Sequence, residues 1–151
     1  MDELLLQVRR RVYDTFVREQ QAPSAEDAET EAAYRELHEA HALVLHPGTT
    51  EIWMLNPFST VPTPHRVHAD RRSWYANCAW DALGIPAALA ADGRVESECA
   101  DCGEPLALEV RDGALADGAD LLVHILVPHG AGGRTSGSPE ARWSSSGRRS
   151  T

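Results

Sequence analysis

A cysteine and an aspartate three residues apart, Cys78 and Asp81, are the side chains in this sequence best suited to chemistry. Asn77 is a favourable N-cap residue and Pro86 ends helices, so the sequence predicts a short helix with Cys78 at its first position. There the unbonded backbone N–H groups favour a thiolate over a thiol. Asp81, one turn further on, is expected on the same helix face. A thiolate beside a carboxylate can bind a soft metal and transfer a proton.

A structural role is the alternative for this pair. Free cysteines are among the most buried residue types, so Cys78 also fits a protein core, with Asp81 as a favourable charge at the start of a helix. The Cys-x-x-Asp spacing alone does not decide between the two interpretations.

Cys99 and Cys102 form a second pair of thiols, followed directly by Gly103. Two thiolates at this spacing can hold one soft ion, and Gly103 permits a tight turn, so a zinc site at Cys99 and Cys102 is one interpretation. A structural zinc site usually has four ligands, and no second pair of ligands is evident in the sequence. The pattern therefore favours a β-turn that carries incidental thiols.

The sequence around these residues predicts an α+β fold in three segments. Residues 1–60 are expected to form a winged-helix-like helical module with a hairpin. Residues 61–129 are expected to form a small mixed β-sheet domain on which the short helix carrying Cys78 packs. Residues 130–151, rich in Gly, Ser and Arg, are predicted to be a disordered tail.

The individual elements follow from periodicity and turn residues. An amphipathic pattern predicts the first helix, and a capping box at Ser24 and Asp27 opens the second. Asn56 to Pro64 is rich in proline and is interpreted as a connector. The predicted helices are 3–20 and about 24–42, and the predicted strands are 43–45, 51–55, 66–68, 94–99, 106–110 and 121–127.

Composition excludes several classes of protein. The 151 residues suit one domain or two small ones, and no apolar run is long enough to span a membrane. The acidic N-terminus does not resemble a signal peptide, and three cysteines without a secretory context indicate a reducing, cytoplasmic location. The net charge is −9, and the second helix is strongly acidic, so binding to nucleic acid is not expected.

Two stretches of the sequence resemble the alkylmercury (organomercurial) lyase family. The first is Trp74-Tyr75-Ala76-Asn77-Cys78-Ala79-Trp80-Asp81-Ala82-Leu83, and the second is Val95-Glu96-Ser97-Glu98-Cys99 followed by Gly103-Glu104-Pro105-Leu106. The resemblance covers roughly residues 3–128 and implies a winged-helix-like module followed by a small catalytic domain. It also implies that the protein cleaves carbon–mercury bonds by protonolysis.

The resemblance implies a role for each matching residue. Cys78 would be the thiolate that captures mercury, Asp81 would pass a proton to the carbon leaving group and help to hold the metal, and Cys99 would be structural. The products would be a hydrocarbon and Hg(II). No cofactor would be required, but free thiols would act as co-reactants. The implied partners are a small organomercurial substrate and, as recipients of Hg(II), cellular thiols or a mercuric reductase.

The chain departs from the family at a second active-site cysteine, which the family carries on a later strand. No cysteine follows Cys102, and the glycine-rich sequence after Val127 suggests an altered or truncated C-terminus. Either Cys102 or a small-molecule thiol supplies the second sulfur, or the protein is a non-catalytic relative that holds Hg(II) or Zn(II) at Cys78, Cys99 or Cys102. A winged-helix regulator that senses metal through these thiols is a third alternative.

Overall fold

The fold is α+β, as the sequence predicts, and is built from helices and antiparallel strands. The computed structural model describes residues 3–116, 121–125 and 141–145. The chain divides into two compact units between Pro62 and Thr63, two residues after the predicted boundary. No helix in these ranges is both long enough and apolar enough to cross a membrane.

The N-terminal unit contains two helices and three short strands. They are α1 (Glu3–Glu19), α2 (Ala28–Glu39), β1 (Val44–Leu45), β2 (Ile52–Leu55) and β3 (Phe58–Ser59). β2 pairs antiparallel with both β1 and β3. This order of elements is compatible with the winged-helix interpretation, which stays a prediction.

The apolar stripe of α1 forms the core of this unit, as its periodicity predicts. Leu5, Val12 and Phe16 are buried, and the Phe16 ring meets the Phe58 ring edge-on at 5.6 Å between centroids. Phe58 lies in the segment that was interpreted as a connector, which instead contains β3. The prediction was wrong here because a buried aromatic residue secures a two-residue strand despite the neighbouring prolines.

The cap of α2 differs from the predicted capping box. Asp27 is the N-cap residue, and its Oδ1 accepts the Thr30 N–H at 2.7 Å. The helix therefore begins at Ala28, four residues after Ser24. A carboxylate satisfies the free N–H groups of the first turn and also interacts favourably with the helix dipole, so Asp27 is the stronger cap.

In its described residues, the C-terminal unit contains one sheet, a separate pair of strands and one helix. The elements are β4 (Arg66–Ala69), β5 (Arg72–Ala76), α3 (Ala79–Leu89), β6 (Gly93–Glu98), β7 (Pro105–Arg111), β8 (Ala114–Leu115), β9 (Leu121–Ile125) and β10 (Ala141–Ser145). Five strands lie in the order β5-β4-β6-β7-β8, and each neighbouring pair is antiparallel. Short turns join β4 to β5, β6 to β7 and β7 to β8, which favours antiparallel pairing, and α3 carries the chain from β5 to β6 on the other side of β4.

The helix α3 lies against β4, β5 and β6 and buries Ala79, Ala82, Ile85 and Pro86. Pro86 was predicted to end this helix, but α3 continues to Leu89 and closes at Ala90, where φ is +49°. Proline in a helix interior removes one hydrogen bond and costs about 3 kcal/mol. The Pro86 ring is fully buried, so its packing offsets much of that cost.

Gly93, the first residue of β6, provides the space for the Pro86 ring. A Cβ added at Gly93 would lie 2.8 Å from Pro86 Cγ and 3.2 Å from the His68 carbonyl oxygen. We expect Gly93→Ala to lower the free energy of unfolding by about 1–3 kcal/mol, because neither backbone nor buried ring can move freely. Urea denaturation measures this change.

Gly84→Ala is the matched control for Gly93→Ala. Gly84 lies within α3, and a Cβ there would meet no atom within 4 Å. Alanine in a helix interior is favoured over glycine, so this variant should be more stable than the wild type by about 0.5–1 kcal/mol. Equal destabilisation by both substitutions would contradict the steric explanation for Gly93.

The strands β9 and β10 form an antiparallel pair, in which the backbone of Trp143 lies opposite that of Val123. β10 lies beside α3. The composition of residues 130–151 predicts a disordered tail, but Ala141–Ser145 is a strand, because β9 provides an edge with which it can pair. The rest of that tail, and the end of the strand predicted at 121–127, lie outside the described residues.

Candidate active site

Cys78 is the N-cap residue of α3, the position that was predicted for Asn77. Its backbone is extended, with φ −151° and ψ 175°, and its Sγ accepts the Asp81 N–H at 3.5 Å. The sulfur thus takes the place of the side-chain oxygen that commonly caps a helix. The prediction placed Cys78 one residue too far into the helix because sulfur is a weak acceptor and a rare cap.

The structure brings Cys78 and Asp81 into direct contact. The Cys78 thiol donates a hydrogen bond to Asp81 Oδ2 over 3.3 Å, and both side chains are half-buried. The sulfur is therefore bonded to the Asp81 backbone and side chain together. This arrangement holds an acid and a soft nucleophile at the positively polarised end of a helix. A proton can pass between them without rearrangement of the backbone.

The carboxyl group of Asp81 is electrostatically unusual. Burial raises its pKa above the ordinary value, and hydrogen bonds from Cys78 and Asn77 lower it by less. Asn77 thus contacts the carboxyl group of the candidate site, although its residue type predicts a helix cap. Its position directly before the Cys-x-x-Asp pattern is the signal that places it beside the carboxylate. A raised pKa keeps the carboxyl protonated to higher pH, as a proton donor requires.

The raised pKa of Asp81 predicts a pH-dependent stability difference. A carboxyl whose pKa is higher in the folded state stabilises the fold below its unfolded pKa, and this advantage is lost as the pH rises through the folded pKa. Asn cannot ionise. The free energy of unfolding of Asp81→Asn relative to the wild type should therefore increase as the pH rises towards the folded pKa of Asp81, and it should stay constant at higher pH. Urea denaturation of both proteins across a pH series measures the difference.

Asp27→Asn provides a control of opposite sign. The hydrogen bond from the Thr30 backbone lowers the pKa of Asp27, and Asn is also a good N-cap. The wild type should therefore lose stability relative to Asp27→Asn as the pH falls through the lowered pKa. If both variants followed the same trend with pH, the proposed effect of burial on Asp81 would be wrong.

Two histidines of the C-terminal unit are bonded elsewhere in the sheet. His65 is buried, and its Nδ1 lies 2.7 Å from Ser97 Oγ. His68 Nε2 lies 3.1 Å from Glu96 Oε2, in an exposed hydrogen-bonding contact. These contacts give both residues a role in joining β4 to β6.

Cys99 and Cys102 lie in the connection between β6 and β7. Cys99 is buried and Cys102 is exposed, and none of the three cysteines is part of a disulfide. Within the described residues, no group of three or more His, Cys, Asp and Glu side chains is arranged to hold a metal ion. A four-ligand zinc site at Cys99 and Cys102 would therefore need ligands from elsewhere.

A surface cavity of about 300 Å³ lies in the other unit, along α1. Its lining combines the apolar Leu6 with charged side chains, among them Glu3, Arg9, Arg10 and Asp14. It contains neither Cys78 nor Asp81, and it offers no thiol to a soft metal. We therefore do not assign the candidate site to this cavity.

Comparison with known proteins identifies a family. The family model described as "MerB: Alkylmercury lyase" matches residues 58–138. Alkylmercury lyases from Bacillus cereus and Clostridium butyricum are each 42% identical over 50 residues, which is 33% of this chain. The matched segment spans only 23% of the length of these curated relatives.

A solved structure shares the fold. The "Crystal structure of the mercury-bound form of MerB2" matches with a TM-score of 0.76 and 22% identity, over 97% of this chain and 76% of that one. The α+β arrangement described above is therefore the fold of that protein. Since the family model covers more than half of the residues, including Cys78, Asp81 and Cys99, the chain belongs to the alkylmercury lyase family.

Proposed function

We propose that this protein cleaves the carbon–mercury bond of small organomercurials, with Cys78 as the mercury ligand and Asp81 as the proton donor. The contact of 3.3 Å between Cys78 Sγ and Asp81 Oδ2 is the observation that carries the proposal. Mercury is a soft metal that prefers thiolate, and a carbanion leaving group needs an acid close to the same metal. Family membership supports the same reaction class.

The reaction can be written with its protons balanced. The Cys78 thiol passes its proton to the Asp81 carboxylate, and the thiolate forms a sulfur–mercury bond as the ligand opposite the carbon departs. The carbon–mercury bond then breaks with its electron pair on carbon, which takes the proton from Asp81 and leaves as a hydrocarbon. The Asp81 carboxylate, now ionised, holds the mercury together with Cys78. Two external thiols then remove Hg(II) as a bis-thiolate. One of their two protons restores the Cys78 thiol, the other is released to solvent with the displaced anion, and Asp81 is again a carboxylate.

External thiols are thus co-reactants in this proposal, and no bound cofactor is required. A reducing cytoplasm provides such thiols in excess, which fits the cytoplasmic location expected from the sequence. Cellular thiols are the direct recipients of Hg(II), and a mercuric reductase would be a later one. In this proposal, a small-molecule thiol or Cys102 supplies the sulfur that a second active-site cysteine provides in the family.

Release of benzene from phenylmercury tests the proposal. Purified protein is incubated with phenylmercury acetate and excess monothiol, and benzene in the headspace is measured by gas chromatography against thiol alone. The proposal expects catalytic benzene release together with formation of Hg(II) bis-thiolate. A folded protein that releases no benzene above the thiol background would contradict it.

A non-catalytic soft-metal-binding relative is the second candidate. It is favoured by one observation, that none of the three cysteines is part of a disulfide, so their sulfurs can bind a soft metal without any proton transfer to carbon. Its expected result is retention of Hg(II) by the folded protein without benzene release. The metal-sensing regulator would instead require salt-sensitive binding to DNA, which the net charge of −9 opposes.

A further inference from the structure

The connection between β6 and β7 is a tight turn with two cysteines at its ends. The Cys99 N–H donates to the Glu104 carbonyl at 2.8 Å, and the Gly103 N–H donates to the Cys99 carbonyl at 2.8 Å. Gly103 has a φ of +72°, a conformation that side chains other than glycine disfavour. Three features thus fix this turn independently of any metal.

The turn places both cysteine side chains on the same side. A bond from residue i+4 back to residue i closes one turn of helix, in which side chains three residues apart are neighbours. The pKa of Cys102 is raised overall: a hydrogen bond with the Glu104 backbone lowers it, but a hydrogen bond with the Cys99 side chain and the charge of Glu104 raise it. The hydrogen bond between the two cysteine side chains means that their sulfurs are adjacent.

The two thiols also differ in access. Cys99 is buried at the end of the sheet, whereas Cys102 is exposed, and its Sγ lies 3.7 Å from Glu104 Oε2. An ion arriving from solvent can bond first to Cys102 and then to Cys99. The Glu104 carboxylate beside Cys102 adds negative charge that favours a cation and can accept the thiol proton.

We propose that Cys99 and Cys102 form a second site for a soft cation, such as Hg(II), that accepts two sulfur ligands. Both thiols lose a proton, and two sulfur–metal bonds form. A two-coordinate ion needs no third ligand, so the lack of a larger ligand cluster among the described residues does not oppose it. Zinc would need further ligands and is not expected to bind tightly. The site does not depend on cleavage of carbon–mercury bonds.

Cys78 must be removed before this site can be tested. Tyr75 of β5 and Glu96 of β6 both pair with Arg66 of β4, so β5 and β6 run in the same direction. Cys78 and Cys99 each follow three residues later, and both lie beyond the same end of the sheet. In the wild type, Hg(II) that binds at this end of the sheet could therefore be held by Cys78 or by Cys99 and Cys102. The Cys78→Ser background leaves only the proposed dithiol.

Competition with a monothiol distinguishes a dithiol site from a single reactive cysteine. Hg(II) is added to Cys78→Ser, and glutathione is raised until the metal leaves, as followed by the sulfur-to-mercury absorption and by mass spectrometry. Two sulfurs held in one turn act at a high effective concentration. The glutathione concentration that displaces Hg(II) from Cys78→Ser should therefore be about 100-fold higher than the concentration that displaces it from Cys78→Ser/Cys102→Ser. X-ray absorption should report two protein sulfurs on the metal.

Two further variants show whether the turn or the sulfurs matter. Asp101→Asn in the same background keeps both thiols and the exposed turn, and it should match Cys78→Ser. Gly103→Ala keeps both thiols but opposes the required φ, and it should weaken retention roughly tenfold. Cys102 is exposed, so its replacement by serine should leave the melting temperature unchanged. Equal retention of Hg(II) with and without Cys102, in folded proteins, would overturn the proposal.

Discussion

Cys78→Ser is expected to reduce benzene release from phenylmercury by at least about 10³-fold, as loss of an essential nucleophile does. Oxygen is a hard ligand with little affinity for mercury, so the variant should fail at the capture step. The fold should survive, because the serine hydroxyl can accept the Asp81 N–H that Cys78 Sγ accepts at 3.5 Å. Headspace gas chromatography and urea denaturation measure the two effects on the same preparations.

Cys78→Ala separates the chemistry of the thiol from its role as a helix cap. Alanine provides neither a mercury ligand nor a cap, so this variant should be as inactive as Cys78→Ser. It should also be about 1 kcal/mol less stable, because the first turn of α3 loses its side-chain acceptor. If serine preserved activity while alanine abolished it, Cys78 would act only by positioning the helix, and the proposed mechanism would be wrong.

Local patterns were sufficient to predict most of the elements and the proximity of Cys78 to Asp81. The stripe that contains Val12 and Phe16 gave α1, and residues three apart at the start of any helix share one face. That argument holds whether Cys78 caps the helix or begins it. The contact is therefore predictable, although the residue assigned as the cap was not the right one.

The features that sequence analysis missed depend on partners distant in the chain. Pro86 stays inside α3 because its ring is buried and Gly93 leaves room for it. β5 was not predicted as a strand, and it pairs along its length with β4 across the turn at Asp70 and Arg71, both of which have positive φ. β10 forms because β9 offers an edge. Propensity over a short window contains none of these contacts.

The burial of Asp81 is also a property of the folded protein. A sequence shows that a carboxylate follows the cysteine, but desolvation, which is the main cause of its raised pKa, arises only when α3 packs on the sheet. The same residue on an exposed helix would be an ordinary first-turn charge. The raised pKa suits the proton donor of the proposed function, and Asp81 is a first-turn charge of α3 in either interpretation.

Asp81→Asn is expected to lower benzene release by about 10²–10⁴-fold, the usual contribution of a general acid. The amide resembles the carboxyl in size and can still accept the Cys78 hydrogen bond, so the geometry at the helix start should be kept. It cannot transfer a proton to carbon at neutral pH. Asp14→Asn, at an exposed position on α1, is the matched control and should retain wild-type turnover.

The decisive observation for Asp81→Asn is the species that accumulates. In Asp81→Asn, solvent must take the proton of the Cys78 thiol, so mercury capture should be slower, and the reaction should then stop with an intact phenylmercury group on Cys78. Native mass spectrometry should detect one such group per chain in Asp81→Asn and none in Asp81→Asn/Cys78→Ser, with competing monothiol in both samples. A variant that turned over phenylmercury normally would exclude Asp81 as the donor. A variant that captured no phenylmercury would show that solvent cannot replace the Asp81 carboxylate as the acceptor of the Cys78 proton.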